Sequence, residues 1–333
     1  MRILTSRFTI GAFTFKGCHH VSISKGVFQL GDTAQITLPA SSVLVTAESV
    51  ESPKPTASIE TARQFKVGDA VTIELGYDGN LNEEFVGFVA RINWNVPCSV
   101  ECEGYSFVLR TKRSITKSYA RTTLREVMAE VVKGTGITLH PLMPDLPLRN
   151  LVLNNATGIQ VIEYVKGLLK GALTSYFIGS ELYVGLAYED LDNQTVKYRL
   201  DWNTINSNQL KYHRAIDLDV QVKLSFRNDS GQIIQTTTGK DGGIIRRETL
   251  SAISDLKTLQ AVAEEKLRRE TFDGYEGSIT CFGEPFCRPG FRAEIIDGRY
   301  QEREGIYFVE STAVSFGTGG FRRTVALGIK LDL

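Results

Sequence analysis

FKVGDAVTIELGY (residues 65–77) runs into EFVGFVARINW (84–94), and CRPGFRAEIIDGRY (287–300) runs into REGIYFVESTAVSF (303–316). Each pair reads as a glycine, a β-rich run, a turn, then a second glycine and a second β-rich run. Gly68 before Asp69, and Gly290 after Pro289, stand where a turn enters a strand, a place that favours a residue free to take positive φ or to pack tightly. Taken as an internal repeat, the two passages make the chain a pair of related β-barrels joined by an intervening segment.

The rest of the chain fits that frame. Gln35–Leu38, Ala70–Leu75, Glu84–Trp94 and Ser99–Leu109 alternate or run β-rich between Gly, Pro and Asp breaks, which predicts a first barrel over residues 1–118. Ser49–Arg63, with Pro53 and Pro55 among Ser, Thr and Glu, has no apolar period and reads as an exposed loop. From Thr123 the period becomes 3.6. Leu124, Val127, Met128, Val131 and Val132 share a stripe, Thr123 and Glu126 form a capping box, and Gly134 and Gly136 end the helix. A second capping box, Thr157 with Gln160, opens a helix with Ile159, Ile162, Val165, Leu168 and Leu169 on one side. In TSYFIGSELYVGL (174–186), two β-rich arms flank Gly179-Ser180, the pattern of a two-residue hairpin. Residues 119–195 therefore read as an α/β insert. The second barrel, residues 196–333, is expected to hold strands at Asp219–Phe226 and Ile233–Thr238 and one helix over 254–270. Leu256, Leu259, Ala263 and Leu267 mark that helix's buried side, with Glu264–Arg268 and Glu265–Arg269 on its wet side. The fold class is mainly β with an α/β insert.

Composition narrows function. At 333 residues the chain exceeds what one core supports, and 42% apolar with 23% charged residues excludes disorder and collagen-like repeats. Lys plus Arg equals Asp plus Glu at 38 each, so no large net field draws the chain to nucleic acid or an anionic membrane. No secretory signal and no apolar run of spanning length is visible, which predicts a chain that stays in the cytoplasm. Cys18, Cys98, Cys102, Cys281 and Cys287 form an odd, sparse set, expected as free thiols.

Chemical motifs are weak. Cys98 with Cys102 and Cys281 with Cys287 lack the knuckle spacing of a zinc loop and read as small buried hydrophobes. Cys18, His19 and His20 are adjacent, and adjacent strand residues point to opposite faces. His140 and His213 have no obvious local acidic partner. The carboxylate clusters Glu83–Glu84, Glu264–Glu265 and Glu302–Glu304 read as solvated turns or helix faces, not as a glycosidase pair. Arg110, Lys112, Arg113 and Lys117, and the pairs Arg246–Arg247 and Arg322–Arg323, are expected in salt bridges between subunits more than on DNA. GTGG (317–320) precedes a strand and not a helix, so it reads as a hairpin turn and not a phosphate cradle. No catalytic, cofactor or metal residue is assigned, and the chain is expected not to be an enzyme.

Three passages resemble the baseplate hub family of contractile tails, which includes late control gene D proteins and the N-terminal part of type VI secretion spike proteins. The first is VGDAVTIELGY with FVGFVARINW and VECEGYSFVLRTKR, holding Gly68, Asp69, Gly87, Gly104 and Tyr105. The second is the pair of short helices with FIGSELYVG. The third is the C-terminal run GSITCFGEPFCRPGFRAEIIDGRYQEREGIYFVESTAVSFGTGGFRRTVALG, from Gly283 and Pro285 through Gly320 and Arg322. The resemblance implies a homotrimer whose duplicated barrels form a pseudo-sixfold ring between a hexameric tail tube and a trimeric spike, among other baseplate proteins. It implies assembly in the bacterial host cytoplasm and residence in a virion tail or injection machine. Because the sequence stops at Leu333 without a further barrel or β-helix region, the spike is expected on a separate polypeptide. Structural weight is expected at Gly68, Asp69, Gly104, Tyr105, Pro289, Gly290, Gly305, Tyr307 and Gly320. A cell-wall carbohydrate hydrolase of the tail tip and a carbohydrate-binding β module are the alternatives, and with only Trp94 and Trp202 an aromatic platform is poorly supplied.

Overall fold

The computed structural model describes residues 2–45, 55–112, 114–189, 194–207, 209–214, 219–272, 274–301 and 304–331. In chain order the first part is strands with one 3-10 turn, Thr61–Gln64, between the sixth and the seventh: β1 (Leu4–Ile10), β2 (Phe13–Phe15), β3 (His20–Gly26), β4 (Thr33–Leu38), β5 (Ser41–Val45), β6 (Pro55–Glu60), β7 (Ala70–Tyr77), β8 (Asn80–Asn93) and β9 (Cys98–Glu103). A mixed part follows: α1 (Ser106–Thr111), β10 (Ser114–Thr123), α2 (Leu124–Val132), β11 (Thr138–Leu139), β12 (Pro147–Thr157), α3 (Gly158–Leu168), β13 (Leu173–Ile178) and β14 (Glu181–Leu186). Then come β15 (Thr195–Arg199), β16 (Thr204–Asn206), β17 (Lys211–His213), β18 (Val220–Arg227), β19 (Ile233–Gly239), β20 (Ile244–Thr249) and α4 (Leu256–Glu270). The chain closes with β21 (Gly274–Phe282), β22 (Arg292–Ile296), β23 (Gly305–Gly317) and β24 (Gly320–Leu331).

The two passages that opened the sequence reading occupy matching places. β1-β7-β8-β9-β4-β3 lie side by side in one half of a fourteen-stranded sheet, and β15-β22-β23-β24-β21-β16 in the other. The order along the chain is the same in both halves. Local geometry repeats as well. Gly68 has φ +93° and Gly290 φ +88°, values that favour glycine. The Gly68 amide donates to the Val89 carbonyl at 2.8 Å and the Gly290 amide to that of Val309 at 2.9 Å; the amides of Val89 and Val309 answer to the carbonyls of Asp69 and Phe291, both at 2.9 Å. Each second strand then carries a bulge at the same step, between Val89 and Arg91 on β8 and between Val309 and Ser311 on β23. One difference remains: β1 pairs β7 antiparallel, whereas β15 pairs β22 parallel.

Each half curls round its own core. Phe8, Ile36, Val71, Ile73, Phe85, Val89 and Val100 fill the first, and Tyr198, Ile279, Phe291, Tyr307, Val309 and Val325 the second. β3 pairs with the C-terminal half of β23, so the sheet passes from one core to the other unbroken, and Val314, Phe316 and Phe321 enter the first core.

The α/β part has a third core. Thr123 and Thr157 both make reciprocal capping boxes with Glu126 and Gln160; α2 and α3 bury most of the stripes read from their sequences, with Val132, Ile159 and Leu168 half-buried at the margins and Val161 an added core residue. The hairpin β13–β14 turns at Gly179-Ser180, with Gly179 at φ +61°. Replacing Thr157 by Ala should lower stability by about 1 kcal/mol, as the shift in urea midpoint will show, and Thr157→Ser should restore most of it.

Several expectations are corrected. Ser99–Leu109 is not one strand: β9 ends at Glu103 and α1 begins at Ser106, because the adjacent buried pair Val108 and Leu109 suits a helix face and not strand alternation. The loop expected over 49–63 includes strand β6, paired with β5, and the start of the 3-10 turn Thr61–Gln64, while 49–54 lies outside the described residues. Helix α4, expected inside the second barrel, packs with β18 and β19, and its Leu259, Val262 and Ala263 join the core of α2 and α3. Leu256 on its first turn is 44% exposed, and Glu265, expected on the wet side, is 5% exposed. The Glu265 carboxylate accepts from the Ala187 amide at 3.3 Å and from Arg269 at 3.1 Å, which gives a buried charge the partners it needs.

Candidate assembly surfaces

The residues first considered for chemistry are dispersed. Among the described residues no three His, Cys, Asp or Glu side chains are grouped to hold a metal ion. All five cysteines are free thiols; Cys98 and Cys102 lie on one face of β9, and Cys281 and Cys287 in the second barrel. Burial pushes the thiols of Cys102 and Cys287 up to about 12 and those of Cys18 and Cys281 to about 11. Such thiols hold their protons at neutral pH and are poor nucleophiles. A disulfide-exchange reagent at pH 8 should therefore modify at most Cys18 in the native protein and all five thiols after denaturation. His140 has an acidic neighbour that the sequence did not suggest, the Glu181 carboxylate at 3.8 Å.

Three members of the basic clusters are engaged within the chain. Arg110 pairs with Glu103, Lys117 with Glu130 at 3.4 Å and Arg246 with Glu270 at 3.1 Å, where subunit contacts were expected. These pairs are largely exposed, and each contributes little. Arg113 and Glu302 lie outside the described residues.

Arg323 is different. Its side chain is 1% exposed and that of Glu84 on β8 is 3% exposed. All five guanidinium N–H groups are used: Nη2 donates to Glu84 Oε1 at 2.5 Å and to the Gly283 carbonyl at 3.0 Å, Nη1 to Glu84 Oε2 at 3.1 Å and to the Cys287 carbonyl at 3.0 Å, and Nε to Gly283 at 3.1 Å. This clasp ties the first barrel to β24 and the 283–287 loop. It corrects the reading of Glu83–Glu84 as a solvated turn, and places Arg323 in a salt bridge within the chain where one between subunits was expected.

Two concavities cross the junction of the barrels. A trough of about 640 Å³ follows the continuous sheet and is lined mainly by small and apolar side chains, among them Ser22, Ile23, Ser315 and Thr324, with Glu101, Glu103 and Arg322 as its charged groups. A second hollow of about 570 Å³ is mainly apolar, with Leu4, Tyr77, Phe321, the half-exposed Phe282 and Trp202, which is 77% exposed, beside the charged Arg2, Glu284 and Arg322. A smaller cleft lies between the first barrel, the β13–β14 hairpin and residues 286–289, and holds Lys25 and Asp32. Burial raises the Asp32 carboxyl from 3.8 to about 6, while Lys25 opposes the shift. A folded-state pKa above the unfolded one means that this group's stabilisation is complete below about 3.8 and is lost as pH rises through about 6. Asp32→Asn should therefore gain in melting temperature, relative to the wild type, between pH 4 and pH 7.

The residues given structural weight are spread over these joints. The Asp69 carboxylate accepts from the Lys66 amide at 2.8 Å inside the first repeated turn. Pro289 and Gly290 form the second such turn. The Gly104 amide donates to the Asp32 carbonyl at 2.8 Å, and Tyr105 lies between Phe88 and Phe177, at 6.0 and 5.9 Å, bridging the first barrel to the hairpin. Gly305 opens β23, Tyr307 is wholly buried in the second core, and Gly320 closes the β23–β24 turn at φ +98°. They do not converge on one site.

No family model matches the chain, and no curated protein matches it either. Solved structures do. A tail protein from Neisseria meningitidis MC58 superposes with a TM-score of 0.68 over 98% of this chain and 96% of its own, at 12% identity. The 43 kDa tail protein of prophage MuSo2 from Shewanella oneidensis gives 0.62 over 97% of each chain, also at 12% identity. A component of the type VI secretion system of E. coli, described as similar in structure to two bacteriophage T4 tail proteins, gives 0.57 over 98% of this chain and 77% of its own, at 8% identity. The fold is therefore that of phage tail proteins and of this secretion-system component, the fold that the resemblance implied.

Proposed function

We propose that the chain is a structural hub subunit of a phage or phage-like tail baseplate. Three copies form a ring of six barrels that joins a hexameric tail tube to a trimeric spike. The observation that carries this reading is the duplication: the same turn, hydrogen-bond pair and bulge at Gly68–Arg91 and at Gly290–Ser311. One chain with two like barrels can present near-sixfold contacts to one neighbour and threefold contacts to another, which adapts symmetry without bond chemistry. In this reading the barrels are drawn from 2–103 and from 194–214 with 274–331, and the α/β unit from 105–189 with 219–272. Light scattering across a concentration series tests the reading: a mass of three subunits supports it, and a single subunit at every concentration refutes it. The carbohydrate-binding alternative has in its favour the exposed Trp202 and Phe282 beside the apolar hollow. Saturable binding of cell-wall glycans by a monomer would favour that alternative.

A further inference from the structure

The mainly apolar hollow at the junction of the barrels has the make-up of a ligand site, which the ring reading does not require. Its exposed wall is Trp202 with Phe282. Pairing of β16 with β21 sets Thr204 opposite Cys281, so the turn that precedes β16 lies beside the end of β21 and brings Trp202 to Phe282. That turn is firmly held. The Arg199 carbonyl accepts from the amides of Trp202 and Asn203, both at 3.2 Å. The Asn203 side chain accepts from the Arg199 amide at 2.7 Å and donates to the Lys197 carbonyl at 3.0 Å. Asp201, at φ +68°, meets Arg299 at 3.3 Å. The Arg199 guanidinium lies over one face of the indole, 5.9 Å from the ring centroid, yet the residue remains 77% exposed. Neither Trp202 nor Phe282 belongs to any of the three cores. A fixed backbone thus presents two aromatic side chains to solvent, and little freedom is lost when a ligand stacks on them.

The charged groups of the hollow are not balanced. Glu284 pairs with Arg2, whose guanidinium lies over the Tyr77 ring at 5.2 Å. The Arg322 guanidinium lies over Phe282 at 4.7 Å and donates one N–H to the Phe321 carbonyl at 3.0 Å. Among the described residues no carboxylate pairs with it. One positive charge without a counter-charge therefore stands beside the two exposed rings. A pyranose has a face of C–H groups that stacks on an aromatic ring, and hydroxyls at its rim for the polar groups around it. A carboxylate on that sugar supplies the missing counter-charge, in the paired geometry that a guanidinium favours. We propose that this hollow binds an acidic pyranose, a uronic acid or a sugar with a carboxylate-bearing substituent, stacked on Trp202 and held through its carboxylate by Arg322.

Trp94→Phe leaves Trp202 as the chain's single tryptophan, since the sequence holds two. Titration of that full-length variant with glucuronic acid, N-acetylmuramic acid and N-acetylneuraminic acid should give a saturable change in Trp202 fluorescence with at least one of them, at a Kd of about 1 mM. The neutral sugars glucose and N-acetylglucosamine should bind about tenfold more weakly, for want of the charge-assisted hydrogen bonds. Arg322→Gln should bring the acid down to the affinity of the neutral sugar, and Trp202→Ala, followed by saturation-transfer NMR, should remove binding of both. Unchanged melting temperatures will show that both variants are folded. No saturable signal with any of the three acids far above that Kd overturns the proposal, and so does equal binding of acidic and neutral sugars. Shielding of Trp202 from acrylamide quenching before sugar is added also overturns it, because another protein surface then covers the hollow. Solution mass on the same samples separates this site from the ring: binding by a trimer supports both, and binding by a single subunit keeps the site and removes the ring.

Discussion

Arg323→Met will lower stability by about 3–5 kcal/mol, because it strands the Glu84 carboxylate where almost no water reaches. The loss is read as the shift in denaturant midpoint at constant slope. Removing one partner of a buried pair is far worse than removing both, since the surviving charge carries the whole desolvation penalty. The double variant Glu84→Leu, Arg323→Met should therefore recover much of the loss. If it recovers none, the clasp acts through the two carbonyls of Gly283 and Cys287 and not through charge pairing.

Phe308→Ala is the second large effect, about 3–5 kcal/mol, with Phe308→Leu costing well under half of that. Phe308 sits on β23, yet its ring is buried in the core of the α/β unit, edge-on to Tyr188 at 5.3 Å. Tyr188 donates in turn to Glu310 at 2.6 Å, so the junction couples an apolar anchor to a half-buried carboxylate. Loss of the ring should loosen the α/β unit before the barrels, which protease nicking within 105–189 ahead of global unfolding would reveal. Uniform protection up to the global transition would mean that the three cores unfold as one.

Local signals in the sequence were readable where they are complete in themselves. Thr123 with Glu126, Thr157 with Gln160, and Gly179-Ser180 each carry their partner within a few residues, and each forms as read. The repeat was legible as two glycines before β-rich runs, but the bulge that makes it convincing was not, because a bulge is a relation between two strands. The clasp was missed for the same reason. Glu84 is the extra residue of a bulge on β8, between Glu83 opposite Glu74 and Phe85 opposite Ile73, so it and Phe85 are both buried where simple alternation would expose one. Contiguity misled in another way. The stretch from Val220 to Glu270 lies between strands of the second barrel in sequence but packs with α2 and α3 in space. Nothing local marks that return.

The most direct test of the duplicated-barrel ring is end-on electron microscopy of the purified protein's largest species, averaged without imposed symmetry. A ring with a central hole, threefold in detail and with six barrel-sized lobes, is the expected image. Solid particles without a hole, or a ring whose lobes do not number two per chain, would contradict it.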